Sequence, residues 1–212
     1  ARFSDDSTAR ADILIGADGS RSTVRSMIDP SAPAPRYTGL LGLGGLTTRA
    51  DVDSTNASYR MIFGKKAFFG YEVSDEGQIS WFANLPHRDP LTLAQAREVS
   101  PEEWLRVLGN AFAADRIPAA AIIAATAPAD LMVIGGLELM PTAPVWSRGR
   151  SVIVGDAAHV PSPSSGQGAS MAIESAIELA RCLRDLPYAQ AFAAYENLRR
   201  DRVTRIIKLA AR

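Results

Sequence analysis

Arg150-Ser-Val-Ile-Val-Gly-Asp-Ala-Ala-His-Val-Pro-Ser-Pro-Ser-Ser-Gly-Gln-Gly-Ala-Ser-Met-Ala-Ile-Glu174 is the stretch from which the fold of this chain is read. Ser151 to Val154 is a short β-branched apolar run, which suits a strand covered on both faces. Asp156 follows at the strand end, where a carboxylate can accept hydrogen bonds from sugar hydroxyls. Pro161 to Gly168 holds two prolines and two glycines and so continues neither a strand nor a helix. From Ala169 the pattern turns helical, with Met171, Ile173, Ala176, Ile177, Ala180 and Leu183 spaced as one apolar face. The free N–H groups of that helix start face whatever Asp156 faces, which makes a site for an anion or an electron-rich ring edge.

This segment resembles the Gly-Asp motif of the class A FAD-dependent aromatic hydroxylases, the family typified by p-hydroxybenzoate hydroxylase. The resemblance implies that Gly155 and Asp156 meet the ribityl chain of FAD. It also implies that Pro163, Gly166, Gln167, Gly168 and Ala169 bring the helix start beside the N1/C2 edge of the isoalloxazine. One departure is visible: the family usually has Glu-Asp-Ala where this chain has Glu174-Ser175-Ala176. A carboxylate is lost from the helix, and the flavin-facing loop is left intact.

A second motif, Ala11-Asp-Ile-Leu-Ile-Gly-Ala-Asp-Gly-Ser-Arg-Ser-Thr-Val-Arg25, reads as a buried strand, a tight Asp-Gly turn and a helix start that Ser22 is placed to cap. On its residues alone it is equally an ordinary strand-to-helix turn. Its order and distance from the first motif are those of the same family, whose Asp-Gly motif it is similar to. The resemblance then implies that Asp18, Gly19, Ser22 and Arg25 lie near the ribose or pyrophosphate of FAD and near the pyridine nucleotide.

The family opens with a strand, a Gly-x-Gly-x-x-Gly turn and a helix for the ADP half of FAD, and nothing of that kind precedes residue 11. Gly39-Leu-Leu-Gly-Leu-Gly-Gly45 has the wrong spacing and is followed by Thr47-Thr-Arg-Ala50, so it reads as a strand. The helical pattern at the other end runs to Arg212 without a cap. The chain therefore reads as the middle and later part of a longer flavoprotein, and residues 1–212 by themselves are expected to hold FAD weakly or not at all.

With 212 residues the chain can bury a sizeable core. Its formal charge is zero, which gives no electrostatic case for nucleic acid or anionic membranes as partners. Arg199, Arg200, Arg202 and Arg205 share a helix with Glu196 and Asp201 and read as a solvated face. One cysteine, Cys182, rules out a disulfide framework and fits a reducing cytoplasm. Three lysines against twenty arginines point to a GC-rich bacterial source. Pro118 to Met140, the most apolar stretch, is broken by Pro128, Asp130, Gly135 and Gly136 and does not span a membrane.

The expected fold class is α/β (α+β): part of a Rossmann-like FAD-binding domain carrying an inserted mixed β-sheet substrate domain. Residues 1–35 are assigned to the FAD domain, closing at the linker Pro30-Ser-Ala-Pro-Ala-Pro35. Residues 36–145 form the insert, with strands over Leu40–Thr48, Ser58–Phe63, Ala67–Val73, Ile79–Leu85 and Leu131–Leu139. A capping box at Ser100-Pro-Glu-Glu103 opens one helix and Pro118 a second. Residues 146–212 return to the FAD domain and end in a helix whose inner face is Phe192, Tyr195, Leu198, Val203, Ile206 and Leu209.

The chemistry the resemblance implies is hydroxylation of an aromatic or similar small hydrophobic substrate with molecular oxygen. FAD, reduced by NADPH or NADH, forms a C4a-hydroperoxide that delivers one oxygen atom. No catalytic side chain and no metal is called for, and two histidines with one cysteine make no zinc site. The substrate pocket is expected between the flavin and the inserted sheet. Alternation places Phe69 and Tyr71 on one face, with Trp81 on the partner strand, as its wall; as plain sheet core the same residues read equally well. His159 reads as fixing its loop by hydrogen bonding. Within the same fold an epoxidase, halogenase or reductase is the alternative, although Trp81, Trp104 and Trp146 are too scattered for the halogenase Trp-x-Trp motif. A catalytically inactive fragment is the other.

Overall fold

The computed structural model describes residues 1–210; Ala211 and Arg212, to which the helical pattern of the sequence extends, lie outside the described residues. In chain order the first elements are β1 (Leu14–Gly16), α1 (Thr23–Ile28), β2 (Arg36–Thr47), β3 (Arg60–Phe63), β4 (Phe68–Val73) and β5 (Ile79–Pro86). Then come α2 (Leu93–Glu98), α3 (Pro101–Phe112), α4 (Ala119–Ala125) and β6 (Leu131–Leu139). The last are β7 (Ser147–Arg148), β8 (Ser151–Ile153), α5 (Gly168–Asp185) and α6 (Tyr188–Ala210). The chain divides into two compact units, residues 1–36 with everything from Glu138 onward, and residues 37–137. The return to the first unit thus falls at Glu138, ahead of Trp146.

In the first unit a small sheet has the order β1-β8-β7, with β1 parallel to β8 and β8 antiparallel to β7. Parallel pairing sets Ile15 beside Val152 and Gly16 beside Ile153, so the turns after β1 and β8 leave the sheet side by side. α5 and α6 pack around Trp146, Met171, Leu179, Phe192, Tyr195 and Val203, all buried. Two helix faces differ from their sequence reading. On α5 the buried residues are Met171, Ser175, Leu179 and Cys182, while Ile173 and Ile177 are exposed. On α6 Arg199 is buried and Leu198 and Leu209 are exposed. In both cases the covered stripe keeps its helical spacing but passes through a polar residue, which apolar counting skips.

The second unit is a five-stranded sheet of order β3-β4-β5-β2-β6, with β3–β4, β4–β5 and β5–β2 antiparallel. α3 and α4 cover one face through Trp104, Leu108, Phe112, Ile122 and Ile123. α3 begins as expected, with Ser100 Oγ accepting from the Glu103 N–H at 3.2 Å; the Glu103 carboxylate pairs with Arg106 rather than closing a capping box. The reciprocal box is at Thr92 and Gln95, opening α2, a helix the sequence reading passed over. No helix of the described residues is long and apolar enough to cross a membrane.

Candidate functional site

Within the first unit, the turns after β1 and β8 and the start of α5 border one cleft of about 590 Å³. Gly19, Gly155, Asp156, Gly168, Ala169 and Ala172 line it, so its walls are mostly backbone and methyl groups. A flat ligand can lie close against such walls. The cleft lies at the carboxyl ends of two parallel strands, the general ligand position of open α/β sheets. Gly155 turns the chain with φ +58°, and a Cβ there would sit 3.1 Å from the Ala172 Cβ, so its side-chain-free surface is what lets the turn pass over α5.

Asp156 is exposed at this cleft, and its carboxylate has no hydrogen-bond partner among the described residues. Burial by the surrounding walls pushes its pKa above the usual aspartate range. At the mouth of α5 the N-cap Gln167 makes no side-chain cap, and the first backbone bond is Met171 N–H to the Gln167 carbonyl. The leading N–H groups of an 18-residue helix are thus left toward the cleft wall formed by Gly168 and Ala169. An unpartnered carboxylate beside an uncapped helix start offers acceptors for hydroxyls and donors for a ring carbonyl or anion. These residues fit the ribityl chain and pyrimidine edge of FAD. Pro163 and Gly166 begin and end the short 3-10 turn at Pro163–Ser165, which feeds Gln167 into α5. None of these three is among the cleft-lining residues.

In the Asp-Gly turn Ser22 caps α1 as read, its Oγ accepting from Arg25 N–H at 2.8 Å. Asp18 faces α1: Oδ2 accepts from Thr23 N–H at 2.8 Å and Val24 N–H at 3.1 Å, and Oδ1 accepts from the Ser22 hydroxyl. These bonds outweigh desolvation and hold its pKa low. Asp18 therefore adds to the helix cap, and Ala17 and Gly19 are the residues of this turn that line the cleft. Arg25 is not free for a phosphate either. Its guanidinium is buried and donates to the Ala157 carbonyl at 3.0 Å and the Ser20 carbonyl at 2.7 Å.

Phe69, Tyr71 and Trp81 are corrected from pocket wall to core. All three are buried in the cluster under α3 and α4, Phe69 against Phe112 at 5.3 Å, and Trp81 Nε1–H donates to Thr126 Oγ1 at 3.0 Å. Alternation grouped them rightly on one face, but that face is the helix-covered one. The opposite face carries Phe63, Phe68 and Phe82, with ring centroids 5.0 and 5.7 Å apart in turn, and Tyr59 6.4 Å from Phe82. Phe82 lies over Gly70, where a Cβ would come within 2.5 Å of the ring.

Behind the Asp156 turn His159 is hydrogen-bonded as read, but sequence reasoning missed its buried partners Ser175 and Arg199. His159 Nε2 lies 3.3 Å from Ser175 Oγ, to which Arg199 Nε donates at 3.3 Å. Arg199 Nη1 donates to Glu174 at 2.6 Å, and Arg202 donates twice to the same carboxylate at 2.7 Å. Arg202 and Arg199 together bring the Glu174 pKa down to about 2. Burial, then the Arg199 charge, brings His159 down to about 4. The departure Glu174-Ser175-Ala176 was the available signal.

Residues 2–210 match the family model described as FAD binding domain. The chain belongs to this family. It is 32% identical over 207 residues to an aurachin C monooxygenase/isomerase of Stigmatella aurantiaca, covering 95% of this chain and 50% of that protein. It is 30% identical to a 6-hydroxynicotinate 3-monooxygenase of Pseudomonas fluorescens, over 98% of this chain and 54% of the relative. Among solved structures, Klebsiella pneumoniae HpxO complexed with FAD and uric acid superposes with a TM-score of 0.85 at 28% identity, over 99% of this chain and 52% of that one. The family read from the two motifs, and its α/β fold with sheets, therefore hold. The chain spans about half the length of the relatives it matches.

Proposed function

We propose that the protein to which this chain belongs is an FAD-dependent monooxygenase that uses NADH or NADPH and oxygen to hydroxylate a small aromatic or heterocyclic substrate. The observation that carries this reading is the unpartnered Asp156 carboxylate beside the uncapped start of α5. When bound, FAD supplies the redox chemistry that activates oxygen and inserts one atom into the substrate. Asp156 accepts from ribityl hydroxyls, and the Gly168–Ala169 N–H groups face negative charge on the reduced ring edge. Arg25 and Asp18 hold the two turns in shape rather than touching the cofactor.

The helix-free aromatic face of the sheet, Phe68 and Phe82 with Phe63 and Tyr59, is the part of the insert suited to stack on a flat substrate. Urate and 6-hydroxynicotinate, acted on by relatives according to their names, are planar heterocycles of that kind. The test uses the full-length protein. Flavin released by heat is identified by chromatography, and NAD(P)H oxidation is followed against a panel of hydroxylated heteroaromatics under labelled oxygen gas. Bound FAD, substrate-stimulated oxidation and label in the product support the reading. An absence of flavin, or a product oxygen that comes from water, overturns it.

A further inference from the structure

Beneath the Gly155–Ala157 turn, His159, Ser175 and Tyr195 are fully buried and Arg199 is 4% exposed. They join four elements. His159 follows the turn, and its backbone N–H donates to the Gly155 carbonyl at 3.0 Å. Ser175 is on α5, and Arg199 and Tyr195 are on α6. The Tyr195 hydroxyl donates to the Ile153 carbonyl of β8 at 3.3 Å. His159 Nδ1 has no partner among the described residues.

The contacts of the ring favour one tautomer of His159. Arg199 Nε always donates. The serine oxygen accepts from Arg199 and, with the ring hydrogen on Nε2, from His159. The group left over is the Nδ1 lone pair. The other tautomer would bury an unpaired N–H, which folded proteins rarely do. An imidazolium would do the same beside the Arg199 charge.

We propose that Ser175 is a positioning residue for the cofactor turn: its hydroxyl holds His159 in the neutral Nε2–H form and thereby ties the turn bearing Asp156 to α5 and α6. His159 is on this assignment neither acid nor base in the reaction. The proposal rests on the FAD reading for its consequence, but its proton arrangement can be tested without the cofactor.

Long-range proton–nitrogen spectra of the full-length wild-type protein and FAD titrations of H159Q, H159L and S175A test it. Glutamine can place an N–H where Nε2–H lies, whereas leucine fills similar space without one. Expected are a neutral Nε2–H signature for His159 from pH 6 to 9, FAD affinity of H159Q within about threefold of wild type, and roughly tenfold weaker binding for H159L and S175A, the scale of one lost buried hydrogen bond. An Nδ1–H or doubly protonated ring, or H159L binding FAD like wild type, overturns the proposal. Wild-type protein that binds no FAD would instead overturn the cofactor reading, and the ring spectrum would still decide the proton arrangement. If the variants fail to fold, that same wild-type spectrum decides.

Discussion

The Arg25 guanidinium donates to the carbonyl of Ala157, 132 residues further along the chain, at 3.0 Å. Its other arm donates to the Ser20 carbonyl at 2.7 Å. One buried cation thus bridges the Asp-Gly turn and the turn that carries Asp156. β1 and β8 place these turns side by side, and Arg25 fixes their separation at the far end.

Removing that bridge leaves the buried Ala157 carbonyl and the half-buried Ser20 carbonyl short of a donor. R25A is expected to lower stability by roughly 2–4 kcal/mol, since each hydrogen bond to a charged group contributes about 1.5–3 kcal/mol and neighbouring losses overlap. R25K should lose less, because its ammonium can keep one of the two carbonyls, though not both as the guanidinium fork does. Thermal melts of the full-length apoprotein measure both. An R25A protein as stable as wild type would show that the clamp is idle.

Asp18 and Asp156, which look alike in the sequence, are expected to fail in opposite ways. D18A removes a helix cap and should destabilise by about 1 kcal/mol, with FAD affinity changed only in proportion. D156A removes a carboxylate that makes no bond within the described chain, so the apoprotein should melt at or above the wild-type temperature. Its FAD affinity should fall by about tenfold or more. Equal effects of the two variants on FAD binding would refute this division of roles.

The pH dependence of stability should separate His159 from Glu174. His159 titrates near 4 when folded against 6.5 when free, so between those values the unfolded chain binds a proton that the folded chain does not. Stability is therefore full above pH 6.5 and declines toward pH 4, by at most about 1.4 kcal/mol per unit. Glu174 titrates near 2 instead of 4.5, so its contribution is present above pH 4.5 and is lost toward pH 2. H159Q should flatten the melting curve between pH 4 and 6.5 and keep the steeper acid limb, and E174Q should do the reverse. An H159Q profile parallel to wild type throughout would contradict the assignment.

The sequence made the two turns and α5 legible because each is announced by local chemistry: a β-branched run, a proline–glycine interruption, then helical spacing. It left less to read where a polar residue occupies a buried position. Arg199 completes the stripe of Phe192, Tyr195, Val203 and Ile206 with correct spacing, but its charge marks it for solvent until Glu174 and Ser175 are seen beside it. Ile173 and Ile177 mislead in the other direction, apolar yet outside the covered stripe of α5. Asp18 reads as a ligand contact by motif, and its bonds to the start of α1 show only once the beginning of that helix is placed. Strand alternation divides β4 and β5 into two faces without saying which one the helices cover, and this reversed the substrate assignment.

That reversal leads to the last prediction. Phe69 is wholly buried against Phe112 and Trp81, so F69A should cost about 3–5 kcal/mol and reduce the yield of folded protein. Phe82 is half-buried on the opposite face of the sheet, so F82A should cost well under half of that. If this face stacks on the aromatic substrate, F82A raises KM several-fold while the melting temperature and FAD content stay near wild type, and F82Y restores most of the loss by returning the ring. G70A offers an independent check, because its methyl group would force the Phe82 ring to move. An F82A enzyme with unchanged KM for every substrate turned over would remove this face from the site and leave it as an uncovered side of the sheet.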